Sequence, residues 1–198
     1  MKVYVIILNF NNWKDTVQSV LSVLNGSYAD FQIVIIDNNS QNNSQKMILN
    51  WLNGDLNIDP DNIITKEDRP KILKGPLPYI IYNEGKRINR DYKKELSTID
   101  NFNSSSKGFN MKNPILFIQT GLNLGFSGGN NVFINSLINS KESAFIFLLN
   151  PDVILDRNVI HELCNRYKSK INSLFISGIS IFNYFDLNQK LSNGGVRL

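Results

Sequence analysis

Val3-Tyr4-Val5-Ile6-Ile7-Leu8-Asn9-Phe10-Asn11 opens the chain with six consecutive apolar residues and then an abrupt polar turn. An unbroken apolar run without period-two alternation predicts a strand covered on both faces, which is the habit of parallel sheets. Working outward, Asn11 or Asn12 can cap a helix in which Val17, Val20, Leu21 and Leu24 recur at helical spacing. Gln32 to Ile36 reads as a second buried strand ending at Asp37, and Met47, Ile48, Trp51 and Leu52 resume the helical period. Strand, helix, strand, helix predicts a parallel α/β sheet joined by right-handed crossovers.

The same rhythm returns in the second half. Ile115 to Gln119 predicts a third strand, and Phe133, Ile134, Leu137 and Ile138 mark one face of a helix after a glycine-rich turn. Ala144 to Leu149 predicts a fourth strand, Asp156 begins a helix carrying Val159, Ile160, Leu163, Cys164 and Tyr167, and Leu174 to Phe182 reads as a further strand. Between the halves, residues 55–113 hold four of the six prolines and the polar cluster Asn101 to Gly108. A connection that long is a functional loop or an insertion, here placed at 58–113, with Tyr79 to Tyr82 a short strand and Arg90 to Leu96 a short helix within it.

Composition bounds the classes. The 198 residues are 42% hydrophobic and 19% charged, which suits one globular domain, 1–198, with a real core. No apolar run approaches the roughly 20 residues of a membrane helix, and Met1-Lys2 leads straight into a strand pattern with no secretory signal, so a cytoplasmic location is expected. The net charge of +4 is scattered, with no arginine-rich helix or aromatic-basic interleaving, which argues against nucleic acid. A mild basic balance fits an anionic small substrate or an anionic membrane surface. The single Cys164 lies in a helical pattern and is expected to be buried and inert. Asparagine is the commonest residue; its spread through every segment is read as compositional bias and given no function.

Two motifs carry chemistry. Asn150-Pro151-Asp152 follows a buried strand, so it places a carboxylate at the carboxyl edge of the sheet, where open α/β sheets bind ligands. One carboxylate there suits a divalent ion on a diphosphate, since Mg²⁺ and Mn²⁺ need only one or two protein carboxylates beside phosphate oxygens. The alternative is a plain turn in which Asp152 bonds its own backbone. In Asn123-Leu124-Gly125-Phe126-Ser127-Gly128-Gly129-Asn130-Asn131, glycines let backbone approach a sugar or diphosphate, with Asn130 and Asn131 capping the next helix. The alternative is a tight turn in which Phe126 fills core. It is not a dinucleotide fingerprint, which belongs after the first strand. His161, Trp13 and Trp51 read as packing or solvated residues.

Together with Asp37-Asn38-Asn39-Ser40, these segments resemble the inverting family 2 glycosyltransferases of GT-A fold, over residues 1–57 and 115–198, and most nearly their rhamnosyltransferase-like branch. The resemblance implies a hexosyltransferase-type enzyme using Mg²⁺ or Mn²⁺ and a dTDP- or UDP-linked sugar. Its acceptor would be a glycan or a lipid-linked molecule of surface polysaccharide synthesis, met at the inner face of the membrane. It implies that Asp37 accepts a hydrogen bond from base or ribose, that Asn9, Asn11 and Ser40 line the same pocket, and that Asp152 holds the metal. Gly128, Gly129 and Asn130 then lie on the sugar side, and Asn150 near a nucleotide hydroxyl. The family's usual Asp-x-Asp begins here with Asn150, a weak metal ligand. The general base is expected beyond Leu198, not from Glu84, Asp91 or Glu95, so the chain is expected to hold the donor half alone.

Two rivals come from other classes. One is a catalytically incomplete domain serving as an interaction module, which transfer activity would count against. The other is a nucleotidyltransferase, disfavoured because the first strand lacks a glycine- and lysine-rich loop behind it.

Overall fold

The computed structural model describes residues 2–57, 76–83, 111–140, 143–168 and 176–192. They fall into two compact units, Met1–Arg166 and Tyr167–Leu198. The first holds β1 (Val3–Asn9), α1 (Trp13–Leu24), β2 (Phe31–Asp37), α2 (Ser44–Asn53), β3 (Tyr79–Asn83), β4 (Ile115–Gln119), α3 (Gly125–Ser140), β5 (Phe145–Leu149) and nearly all of α4 (Val159–Tyr167).

Its five strands form one sheet in the order β3-β4-β2-β1-β5, every neighbouring pair parallel. The expected α/β class and parallel sheet are therefore observed. β1 and β2 are buried along nearly their whole length, as their unbroken apolar runs require. The connection from β1 to β2 steps toward the β3 edge, whereas that from β4 to β5 steps the other way. Right-handed crossovers then put α1 and α3 on opposite faces. On the α3 face, Tyr4, Ile6, Val34, Ile36, Leu116 and Ile118 pack with Phe133 and Leu137, Tyr4 and Phe133 meeting ring to ring at 5.3 Å. On the other face α1 buries Val17, Val20, Leu21 and Leu24 and packs against β1 and α2.

Tyr79–Asn83, from the expected insertion, becomes the edge strand β3 of this sheet. The expected helix at 90–96 lies outside the described residues. α3 departs from expectation: the glycines form its first turns rather than a preceding loop, so Asn130 and Asn131 are interior residues and not caps. The cap is made by Asn123, whose Oδ1 accepts the Gly125 N–H at 2.9 Å. Ile138, expected on the buried face of α3, is 66% exposed. Asp156 precedes α4 as a turn, its Oδ1 accepting the Asn158 N–H. Among the described residues no helix is long and apolar enough to cross a membrane.

In the second unit, residues 174–175 of the strand expected over 174–182 lie outside the described residues, and within 176–182 only Ile181–Phe182 forms a strand, β6, paired antiparallel with β7 (Lys190–Ser192). Residues 176–180 take no regular form. Apolar content called the strand, but β6 and β7 are exposed throughout, so no burial drives its extension.

Candidate functional site

All five strands of the main sheet point the same way, so their carboxyl ends share one edge. The register aligns Asn9, Asp37, Gln119 and Asn83 across it as a polar row capping apolar strands. β1 has β2 on one side and β5 on the other, reached by connections on opposite faces. The carboxyl edge between β1 and β5 is thus a topological switch point, the place where open α/β sheets form a crevice. Asn9 to Asn11 leave β1 there, and Asn150 to Asp152 leave β5.

Asp37 is almost fully buried, yet it is well supplied with donors. Its Oδ1 accepts from Asn9 Nδ2 at 2.6 Å and from Ser40 Oγ at 2.6 Å, and its Oδ2 accepts from the Ser40 N–H at 3.2 Å. A carboxylate offers about four acceptor positions, so one remains on Oδ2. Asn9 has no freedom: the Asp37 carboxylate can only accept, so Nδ2 must face it and Ser40, while Oδ1 lies 2.9 Å from Thr16 Oγ1, whose one proton also has the Asn12 carbonyl within reach at 2.8 Å. Ser40 is equally engaged, its single hydroxyl proton going to Asp37 while Oγ accepts from Asn9 Nδ2 and the Asn11 N–H.

Asn11 adopts a left-handed backbone, φ 57°, a conformation asparagine tolerates better than most residues. Its Oδ1 accepts the N–H groups of Gln41 and Asn42, and its carbonyl accepts Asn42 Nδ2. Asn11 therefore staples the loop after β1 to the loop after β2. Asn12, at the N-cap of α1, donates to Asp15 Oδ2 instead of accepting a helix N–H, so neither asparagine caps as expected.

The glycine-rich segment is tied to the same place. Thr120, just past β4, donates its N–H to the Asp37 carbonyl at 3.1 Å, while its one hydroxyl proton is closest to the Leu122 carbonyl at 2.7 Å. Gly125 has φ 67° with open space where a Cβ would stand. A Cβ on Gly129 would lie 2.5 Å from Leu8 Cδ1, so this glycine lets α3 sit close on the end of β1. Asn130 is buried and donates to the Phe126 carbonyl one turn back, within its own helix. Phe126 is 57% exposed, which removes the reading in which it fills core.

On the β5 side, Asn150 and Asp152 are exposed. The turn closes through the backbone, Val153 N–H to Asn150 carbonyl, and among the described residues no hydrogen bond or ion pair engages the Asp152 carboxylate. The plain-turn alternative, with Asp152 bonding its own backbone, is not what the turn does. No cluster of three His, Cys, Asp or Glu able to hold a metal exists among the described residues.

The structure thus brings Asn9, Asn11, Asp37 and Ser40 into one hydrogen-bonded cluster. It leaves Asn150 and Asp152 exposed on the neighbouring strand end, and turns the Asn130 side chain into its helix. Sequence reasoning passed over Thr16, Asn38, Thr120 and Asn123. Thr16 carried a signal, one turn into the helix that follows Asn9; the others were hidden by the abundance of asparagine and threonine in turns.

Residues 4–71 match the family model described as Glycosyl transferase family 2. The matched segment contains Asn9, Asn11, Asp37 and Ser40. The sheet with its flanking helices is the parallel α/β arrangement expected from the sequence pattern. Among solved structures, residues 1–349 of TarS from S. aureus align with 92% of this chain and 42% of that one, at 10% identity and a TM-score of 0.45. A second TarS structure aligns with 92% of this chain and 25% of that one, at 11% identity and a TM-score of 0.43. The chain spans less than half the length of either. No curated protein matches it.

Proposed function

We propose that this chain supplies the donor-binding part of an inverting glycosyltransferase. It would move a hexose from a dTDP- or UDP-linked donor to a glycan or lipid-linked acceptor at the cytoplasmic face of a membrane. The observation that carries the reading is the buried Asn9–Asp37–Ser40 cluster, at the carboxyl edge of the sheet and within the family 2 segment. In this reading Asp37 receives a base N–H or ribose hydroxyl at its remaining acceptor position, while Asn9, Ser40 and Asn11 hold it in place. The start of α3 approaches the diphosphate, with Gly128 and Gly129 beyond it on the sugar side, and the exposed Asn150 offers an amide to a nucleotide hydroxyl.

Asp152 fits a divalent cation only in company. One unpartnered exposed carboxylate with no second acid beside it suits Mg²⁺ or Mn²⁺ completed by diphosphate oxygens, and not a site made of protein alone. A cation so held supplies Lewis-acid stabilisation of the departing diphosphate. In the transfer, the acceptor oxygen bonds to the anomeric carbon as the bond from that carbon to the diphosphate oxygen breaks. The diphosphate keeps the electron pair and the acceptor's proton goes to a base. No described residue is assigned to take that proton.

A thermal-shift panel of UDP, dTDP, GDP, CMP and their sugar conjugates, with and without Mn²⁺, tests the proposal on the wild type and on Asp152→Ala. Ligand at about 100 times its dissociation constant stabilises by roughly 2.7 kcal/mol, which moves the midpoint of a chain this size by about 5 to 10 °C. A metal-dependent shift with one nucleotide, lost in Asp152→Ala, is the expected result. An equal shift in Asp152→Ala removes the metal assignment, and no shift with any nucleotide favours the interaction-module reading. Pyrophosphate release from a nucleoside triphosphate and a sugar phosphate would turn the assignment to a nucleotidyltransferase.

A further inference from the structure

Asn38 is 3% exposed, lies between Asp37 and the turn to Ser40, and has its backbone N–H and both ends of its side-chain amide engaged. Its backbone N–H donates to the Asn9 carbonyl at 2.8 Å, tying it to the end of β1. Its side chain reaches the other way, with Nδ2 donating to Asn123 Oδ1 at 2.9 Å and to the Gly125 carbonyl at 3.3 Å. Its Oδ1 accepts the Leu124 N–H at 3.0 Å and lies 3.4 Å from Thr120 Oγ1. A backbone N–H on one side and a carbonyl on the other leave the amide only one orientation. Asn123 Oδ1 in turn accepts both Asn38 Nδ2 and the Gly125 N–H, the first donor of α3. Hence one buried amide joins the carboxyl ends of β1 and β2 to the N-terminal turn of α3.

We propose that Asn38 is a positioning residue that holds the first turn of α3 in register with the Asp37 carboxylate, so that one nucleotide diphosphate can engage both. The inference rests on the donor-site reading above and adds to it the residue that sets the distance between the nucleoside and diphosphate ends. Asp37 can be organised without Asn38's side chain, because its own three donors come from Asn9 and Ser40. The α3 turn cannot, because the Asn38 amide meets three successive residues of it, Asn123, Leu124 and Gly125.

Two variants separate positioning from mere folding. Asn38→Asp keeps shape and both acceptor contacts but sets an oxygen against the Gly125 carbonyl and Asn123 Oδ1. Asn123→Ala removes the partner at an exposed position without adding charge. Calorimetric titration with UMP and UDP, and with dTMP and dTDP, each with Mn²⁺, reads the ratio of diphosphate to monophosphate affinity. Both variants are expected to hold monophosphate binding within about threefold and to lose at least about tenfold in diphosphate binding. A ratio unchanged in both variants, with the two affinities falling together or not at all, overturns the positioning role. Asp37→Ala runs beside them: wild-type binding that Asp37→Ala abolishes, with the ratio untouched by Asn38→Asp, sinks this inference and leaves the donor site standing. A wild type that binds none of the four nucleotides overturns both.

Discussion

Asn9→Ala should be costly even without ligand, because Asn9 is the joint on which Asp37 is organised. The side chain is fully buried and makes three hydrogen bonds: to Asp37 at 2.6 Å, to Ser40 at 3.1 Å, and from Thr16 at 2.9 Å. A bond to a charged group contributes about 1.5 to 3 kcal/mol net and a neutral one about 0.5 to 1.5. Some of this is recovered, because Thr16 Oγ1 retains the Asn12 carbonyl at 2.8 Å and Ser40 Oγ retains Asp37 and the Asn11 N–H. What is not recovered is the second donor to Asp37 Oδ1, left buried on a single side-chain donor. The net loss is about 3 kcal/mol, or roughly 6 to 12 °C in Tm for a chain of this length. Urea denaturation followed by circular dichroism measures it directly. Thr16→Val, which keeps shape and removes only the hydroxyl, should cost about 1 kcal/mol. Because both changes delete the same Thr16–Asn9 bond, the double variant should cost less than the sum of the singles. Asn9→Ala within about 1 kcal/mol of wild type, or strict additivity, would refute the account of Asn9 as an orienting group.

Three further outcomes follow from individual contacts. Gly129→Val should destabilise by about 2 kcal/mol in the same assay, since the new side chain drives into Leu8 Cδ1 and overpacking outweighs any gain in helix propensity; a neutral result would mean α3 can lift off β1. Asp152→Ala, by contrast, should shift unliganded stability by no more than about 0.5 kcal/mol, because the carboxylate is exposed and no contact among the described residues engages it; a larger loss would give it a structural role. Burial, and then a hydrogen bond to Cys164, push the Tyr28 phenol above its usual range, and burial pushes the Cys164 thiol up. Both groups hold their protons more tightly when folded, so unfolding releases protons. This contribution is full below the ordinary thiol pKa and is lost as pH rises through the folded values. Denaturation midpoints falling between neutral pH and about pH 10, less steeply in Cys164→Ala, check the sign.

The sheet was legible because its strands announce themselves by burial. β1, β2 and β4 are buried apolar runs, whereas β5, expected to be buried, is an edge strand with Ile146 and Leu148 exposed; the structure moves the ends of all four by no more than one residue. The short exposed pair β6 and β7 has no such signal, and apolar content misled where nothing covered it. α3 was misread at its start because glycine is penalised in helices by local propensity. Only the tertiary contact with Leu8 shows why a residue without a Cβ is needed within its first turns. The site divides along the same line. Asp37 and Asp152 stood out as acids following apolar strands, although each position also reads as an ordinary turn. Asn9 and Asn11 were placed at the site by resemblance, whereas Asn38 and Asn123 were hidden among many asparagines, yet all four do distinct work. Asn9 orients the acid, Asn11 staples two loops, Asn38 joins β2 to α3, and Asn123 caps α3. An amide both donates and accepts, so a cluster of them can lock several chain turns around one buried carboxylate without adding another charge to it. That property belongs to an arrangement in space, and abundance along the chain conceals it.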